Sequence, residues 1–318
     1  WNEHIDEWLY VAGTSLAKKT GVEGYYIRIN HNGIPGKELQ DLYIRVKNRP
    51  EGKCHILANE MISPDALALV RFGLRAPDDP RIRDTIKVID QQLKVETPNG
   101  PCWHRYTNDG YGEHEDGSPY DGTGIGRAWP LLTGERAHYE IAAGNMEQAA
   151  ELTKSMEAFA NNGLFPEQIW DTVDIPEKEL YFGKHSGSAM PLVWAHAEYI
   201  KLCSSLKRGK VFDMPEQTQQ RYIRQKKRSF LEIWRQDHPL DAINKHRILR
   251  IETRKEALIH WSSDDWETIR DTPTRDSGLG VYFVDFTEKE ITGNAILFTF
   301  YWKNTAKWEN KDYQVRFI

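Results

Sequence analysis

The chain has 318 residues, 39% hydrophobic and 28% charged, with a formal net charge of −5, which is room for about two globular domains. A sequence pI near 6.2 supplies no basic field for nucleic acid, and no run reaches the ~18 apolar residues that a membrane-spanning helix needs. Cys54, Cys102 and Cys203 are odd in number and far apart; they exclude a fully paired disulfide framework and show no metal spacing, and leave open one disulfide with one free thiol.

The opening residues "WNEHIDEWLYVAG" read like the inside of a domain, so an N-terminus trimmed from something longer is expected. Short strands are expected near "EGYYIRIN" and "DLYIRVK". Residues 63–74 begin with Ser63 as N-cap and Pro64 at the first helical position. In "DPRIRDTIKVIDQQLKV", Ile82, Ile86, Ile89 and Leu93 recur at helical steps. "NMEQAAELTKSMEAFANNG" pairs Asn145 as N-cap with Gln148 three residues on, and Gly163 marks its stop. "SGSAMPLVWAHAEYIKLC" is apolar round much of its circumference, as in a packed helical layer. Residues 208–240 are charge-dense and read as a helical linker; the run "RQKKR" within them is a solvated helix face. From 241 to 318 the period changes to two: Ile296, Phe298, Phe300 and Trp302 alternate with Leu297, Thr299 and Tyr301, and several such stretches predict a small β-sandwich.

Two long, aromatic, glycine-rich loops, 95–123 and 163–187, separate the helices, and unstructured loops of that length tend to carry function. "GTGIGR", 122–127, is not a dinucleotide fingerprint, since Arg127 and Trp129 stand where a third glycine belongs and no strand precedes it. Its glycines are expected to turn the backbone before a helix starting near Ile125. "GEHEDGSPYDG", 112–122, gathers Glu113, His114, Glu115, Asp116 and Asp121. Its oxygen ligands would suit calcium, but it lacks the EF-hand pattern and reads better as a polar loop rimming a pocket. "WHRYTNDGYGE" interleaves Trp103, Tyr106 and Tyr111 with Arg105 and Glu113; Arg105 could fork onto vicinal hydroxyls or onto a neighbouring acid. In "GLFPEQIWD", Glu167 is placed as a general base, with Gln168 to fix its orientation and Trp170 to exclude water.

The runs "GYGEHEDGSPYDGTGIGRAWPLLTGERAHYEIAAGN", "LFPEQIWD" and "GSAMPLVWAHAEYIKL" together resemble the bacterial glucoamylases and glucodextranases of glycoside hydrolase family 15. The resemblance implies a mainly α fold. Residues 1–207 would form roughly the C-terminal half of an (α/α)6 toroid, and the β-sandwich at 241–318 would be an appended domain. It further implies release of glucose from non-reducing ends of α-1,4 or α-1,6 glucans with inversion. Glu167 in "PEQIWD" would be the base, Arg105 would hold the hydroxyls of the terminal glucose, and Trp129 would line its pocket. Glu113, Asp116, Gln168, Trp170, Trp103 and Tyr111 complete the substrate-binding candidates. The family's catalytic acid lies in a "WEE"-type motif upstream of the stretch matched by "WNEHIDEWLYVAG", so a complementary N-terminal half is the expected partner beside the glucan itself. No organic cofactor is implied. The alternatives are a non-catalytic carbohydrate-binding or assembly fragment, or a trehalase-like specificity. Trp261, Trp266 or Trp302 of the sandwich would bind glucan or pack its core, and family analogy points to export.

Overall fold

A computed structural model describes residues 2–30, 39, 42–287 and 289–318. Trp1 and Asp41, which open two of the stretches read above, lie outside the described residues. The chain divides into two compact units, Trp1–Lys227 and Arg228–Ile318.

The first unit holds helices α1 (Ile5–Leu9), α2 (Ser15–Thr20), α3 (Ala68–Arg71), α4 (Pro80–Leu93), α5 (Pro130–Ala143), α6 (Met146–Ala158) and α7 (Val193–Arg208), with three two-stranded antiparallel sheets among the described residues. These pair β1 (Tyr10–Ala12) with β2 (Gly24–Tyr26) across α2, β3 (Tyr43–Arg45) with β4 (His55–Leu57), and β5 (Lys94–Thr97) with β6 (Gly100–Trp103). Ser63 caps as expected, its Oγ accepting from the Asp65 N–H, although the first turn is a 3-10 segment, Pro64–Leu67. The isoleucine stripe of α4 is buried along its length.

Helix α5 is the centre of the layer and packs against both α6 and α7. Leu131 and Ala137 are fully buried and Ile141 nearly so, the larger ones each contributing roughly 1.5–3 kcal/mol. Gly134 sits at the closest approach, where a Cβ would come within 2.9 Å of the Met156 sulfur and 3.0 Å of Glu198 Cγ. The helix starts at Pro130, not near Ile125, because the glycines before it hold irregular backbone. Asn145 does not cap α6 through its side chain; the Nδ2 donates to Glu140 Oε2 at 2.7 Å instead. That helix ends at Ala158, and Gly163 with φ +79° belongs to the turn closed by Asn161 and Leu164. Helix α7 buries only Ala195, Glu198, Leu202 and Ser205, a single stripe. Val193, Trp194 and Ile200 are exposed at 77%, 54% and 68%, so α7 is not enclosed by the described residues.

A charged network ties these helices together. Arg71 Nη1 donates to both Glu198 oxygens (2.8 and 3.0 Å), while Nε and Nη2 reach Asp213 (3.1 and 2.9 Å). His138 Nδ1 lies 2.7 Å from Glu198 Oε1, and its Nε2 lies 3.0 Å from Ser205 Oγ. Burial would push the Glu198 carboxyl up, but hydrogen bonds and charge from His138 and Arg71 outweigh it and hold the group below its ordinary value.

The second unit holds two sheets. One runs β11 (Arg270–Pro273), β10 (Ala257–Ser262), β14 (Ala295–Trp302), β16 (Tyr313–Phe317), β8 (Ala242–Ile243), with β15 (Lys307–Trp308) also on β14. The other runs β12 (Arg275–Asp276), β13 (Tyr282–Phe286), β9 (Ile248–Thr253), β7 (Leu231–Trp234). Residues from both sheets share one core, including Leu249, Ile251, Val284 and Phe286 with Ile259, Ile296, Phe298 and Phe300. The expected helical linker over 208–240 is corrected at both ends. Val211 packs into the core of the first unit, a short helix (Glu216–Thr218) and a π-helical stretch (Gln219–Arg224) follow, and β7 is a full member of its sheet with Trp234 1% exposed. All three cysteines are free, Cys54 and Cys102 buried and Cys203 exposed. No helix among the described residues is long and apolar enough to cross a membrane.

Replacing Arg71 by Met leaves Glu198 as a buried charge without its guanidinium, while the half-buried Asp213 keeps Lys201 at 3.2 Å, for an expected cost of about 3–5 kcal/mol in urea unfolding. Because the Glu198 pKa is lowered, the network stabilises above the ordinary glutamate range and is lost as pH falls through the lowered value. The deficit of the variant should therefore shrink on acidification; a deficit that is small, or flat with pH, would refute this account.

Candidate active site

Two loops, 104–127 and 163–189, are pressed together at the N-terminal end of α5. The first loop folds back on itself so closely that it needs glycine: a Cβ on Gly112 would stand 2.2 Å from the Ile125 carbonyl oxygen, and one on Gly124 2.0 Å from that of Gly112; the Cβ on Gly112 would also stand 2.8 Å from Gln168 Oε1 of the second loop. Arg127 joins the two loops. Its Nη1 donates to Asp171 Oδ1 at 3.1 Å, its Nη2 donates to the carbonyls of Glu113 and His114 at 3.0 Å each, and the guanidinium lies 4.1 Å above the Trp170 ring. Asp171 Oδ2 accepts from the Ala128 N–H at 2.9 Å and lies 3.3 Å from His104 Nε2. Both members of the ion pair are 4% exposed at the side chain.

This scaffold presents Glu167, Tyr111, Arg105 and Trp129 as one cluster. The Glu167 N–H donates to the Ala189 carbonyl at 2.8 Å, fixing the backbone, and Tyr111 Oη donates to Glu167 Oε2 at a long 3.5 Å. Arg105 is forked onto Asp109 (Nε 2.7 Å, Nη2 3.0 Å), and Asp109 is itself held by Asn48 Nδ2 and the Tyr111 N–H, each at 3.0 Å. The acid therefore clamps the arginine without hiding it: the side chain stays 30% exposed, and Nη1 makes no hydrogen bond among the described residues. The guanidinium lies 4.9 Å from the Trp129 ring centre and 5.0 Å from that of Tyr111. Trp129 is 3% exposed. Trp194 stands edge-on to it at 6.3 Å, and Tyr120 edge-on to Tyr111 at 5.0 Å.

Burial raises the Glu167 carboxyl above its ordinary pKa and the nearby Glu113 adds to this, while a backbone hydrogen bond at Ala189, the Arg105 charge and the Tyr111 hydroxyl oppose it. Glu113 is 7% exposed, and its Oε2 is buried with no partner among the described residues. The Trp129 Nε1 is likewise buried and has none among them.

Other sequence candidates lie elsewhere. Gln168 is 1% exposed and spends its amide on the backbone, donating to the Tyr111 carbonyl (3.0 Å) and accepting from the Arg127 N–H (3.2 Å). Trp170 is fully buried, with Nε1 donating to the Val173 carbonyl at 2.7 Å. These two support the loops from behind and do not face solvent. Trp103 donates from Nε1 to Asp90 (3.0 Å) and borders a different cavity of about 840 Å³, with Lys94 and Arg136 over its ring. Asp116 is exposed and closes a local turn on Ser118. In the same loop, Asp121 bonds Thr123, and no group of three or more His, Cys, Asp or Glu among the described residues is placed to hold a metal. Sequence reasoning missed Asp109, Trp194 and the Arg127–Asp171 pair; only Asp109, four residues from Arg105, carried a local signal.

A half-buried carboxylate with a raised pKa, a clamped guanidinium and an aromatic wall mark this cluster as a candidate functional site. Comparison with known proteins gives the family: residues 3–204 match the profile of Glycosyl hydrolases family 15, and the chain belongs to that family. It is 42% identical over 224 residues to a glucoamylase of Clostridium sp. (strain G0005), a match covering 70% of this chain and 29% of that protein. It also resembles the crystal structure of a bacterial glucoamylase complexed with acarbose, with a TM-score of 0.60 and 42% identity over 70% of this chain and 30% of that one. The chain thus spans under a third of the length of these relatives.

Replacing Arg127 by Met should unclip the loops and cost about 3–5 kcal/mol, since Asp171 is left buried without its guanidinium. Hydrogen exchange should rise at residues 111–116 and 167–171 while α4 and α6 stay protected; unchanged exchange there would show that the pair does not hold the loops.

Proposed function

We propose that this chain belongs to an inverting, exo-acting α-glucosidase that removes glucose from the non-reducing ends of α-glucans, and that Glu167 is its general base. The observation that carries this is the Glu167 carboxylate: half-buried, its pKa raised, and set beside a fixed arginine and an aromatic wall. In the reaction, Glu167 takes a proton from a water molecule as its oxygen attacks the anomeric carbon. A second carboxyl on the opposite face gives its proton to the departing glycosidic oxygen. Inversion needs these two carboxyls ~6.5–9.5 Å apart. The acid is assigned to residues outside this chain, which would also extend the helical layer to an (α/α)6 toroid and cover Val193, Trp194 and Ile200. The two-sheet unit is assigned as an appended β-sandwich.

Arg105, with Nη1 unspent, holds the hydroxyls of the terminal glucose in this reading, and Tyr111 and Trp129 shape its subsite. Glu113 Oε2 and Trp129 Nε1, an acceptor and a donor left buried without partners, are assigned to sugar hydroxyls, because unsatisfied buried polar atoms are costly unless a ligand completes them. The acarbose complex of a relative supports a sugar-binding role for this region.

The test is hydrolysis of maltotriose and isomaltotriose by this chain with its upstream sequence restored, followed by proton NMR of the released anomer. β-Glucose is expected first, and Glu167→Gln should lower kcat by at least about 10²-fold, the lower end of the range for general base catalysis. α-Glucose as the first product would overturn the mechanism. The base works ionised, so activity should fall as pH drops through the raised Glu167 pKa. Replacing Arg105 by Gln or Tyr111 by Phe removes an influence that lowers this pKa and should move the acid limb of kcat/KM up; Glu113→Gln should move it down. Shifts of the opposite sign would remove Glu167 as the group observed.

A further inference from the structure

We propose that His104 is a positioning residue of this site: held between two acceptors as an imidazolium, it ties the loop of Glu167 to the clamp on Arg105. Its catalytic meaning rests on the function proposed above; the tie itself does not.

His104 follows β6 directly, and its N–H donates to the Leu93 carbonyl at 2.9 Å, which fixes where the side chain starts. Nδ1 lies 2.9 Å from the carbonyl oxygen of Gly126, 22 residues further on, so the ring joins the two ends of the first loop. Nε2 lies 3.3 Å from Asp171 Oδ2 in the second loop. The side chain is 26% exposed, and solvent protons can reach it.

Both partners only accept. A carbonyl oxygen has no proton to give, and the Asp171 carboxylate already accepts from the Ala128 N–H and pairs with Arg127. A neutral imidazole has one N–H and one lone pair, so it serves one of these oxygens and turns the lone pair to the other. Only the doubly protonated ring serves both. Among the described residues, the charged groups paired at this contact are Asp171 and, on its far side, Arg127. The Cys102 thiol, also near Asp171, is pushed far up by burial and stays neutral.

Each arm of the ring leads to one half of the site. On the Nδ1 side, Gly126 donates its N–H to the Asp109 carbonyl at 2.7 Å. It is packed so tightly there that a Cβ on it would stand 2.6 Å from Asp109 Cβ. Asp109 is the acid that forks onto Arg105. On the Nε2 side, Asp171 ends the short segment that begins at Glu167. Loss of one ring proton sets a lone pair against a carboxylate and releases one half of the site from the other. The tie is therefore complete where the ring holds both protons and is lost as pH rises through its titration.

Hydrogen exchange of the chain over a pH series, expressed as protection relative to the intrinsic rate, tests this. Protection at residues 109–113 and 167–171 should fall about fivefold, the scale of a partly exposed ion pair. The midpoint should match the titration of the His104 ring followed by proton NMR, and protection of α4 and α6 should not follow it. His104→Asn keeps a donor near the Nδ1 position and His104→Gln one near the Nε2 position. Neither titrates, so both variants should lack the step. With the upstream sequence restored, His104→Asn should lower kcat with KM little changed, because the Glu167 side is released. His104→Gln should raise KM more than it lowers kcat, because the Arg105 side is released. No step in the unaltered chain, a step that persists in the variants, or the same loss of protection in α4 and α6 would each overturn the proposal. So would the same pattern of kcat and KM in both variants. A failure of hydrolysis with the step in place would count against the catalytic reading only.

Discussion

The candidate site depends on one buried ion pair, Arg127 with Asp171. Beyond one 3-10 turn, Pro176–Lys178, and isolated bridges, neither loop has regular structure to hold it. Irregular backbone in the interior must find partners for its carbonyls and amides. Arg127 meets this need from one side, donating to two carbonyls of the first loop. Asp171 meets it from the other, accepting an amide at the start of the segment that leads into α5. Gln168 repeats the arrangement on a smaller scale with its side-chain amide. The residues that look most chemical in "PEQIWD" thus divide their labour. Glu167 alone faces the cluster, and Gln168, Trp170 and Asp171 are turned inward to fix where it points.

A second network, Arg71 with Glu198, Asp213 and His138, does for the helices what Arg127 does for the loops. Charge in this unit is spent on joining segments far apart in the chain: 127 residues between Arg71 and Glu198, and 44 between Arg127 and Asp171. Such pairs desolvate both partners and are weak evidence for stability as such. Their value lies in direction, since a forked guanidinium accepts few geometries. Arg105 on Asp109 follows the same logic at the site itself. The acid engages two of its three nitrogens and leaves the third, Nη1, in a defined place.

What the sequence made legible was whatever repeats. The stripe Ile82, Ile86, Ile89, Leu93 is the buried face of α4, and the alternation of Ile296, Phe298 and Phe300 is the core face of β14. Local periodicity encodes burial directly. The misplacements share one cause, competition from groups remote in sequence or from non-periodic backbone. Asn145 prefers the Glu140 carboxylate to a capping role. "FLEIW" is too short to show a period among charged neighbours, yet it adds a parallel strand beside β9. Of the site, Glu167, Arg105, Trp129 and Tyr111 were readable because they stand in long motifs shared with a family. Arg127, at the end of the glycine-rich run "GTGIGR" and 44 residues from its partner, carries no local signal of the pair it makes.

The tuning of Glu167 follows from this architecture. Its carboxyl is raised chiefly by burial, and burial there is made by the loops. Arg105 and Tyr111, which oppose the rise, are anchored through Asp109 to the first loop, whereas Glu167 is anchored through Ala189 to the second. The electrostatic balance on the Glu167 carboxyl is therefore a function of how the two loops are registered, and that register is what the Arg127–Asp171 pair sets. A change at Asp171, only four residues from Glu167 but facing away from it, acts on that carboxyl through geometry. Glu113 sits at the crossing point: its carbonyl is held by Arg127, and its carboxylate raises Glu167. One residue thus transmits the position of the clamp to the protonation of Glu167.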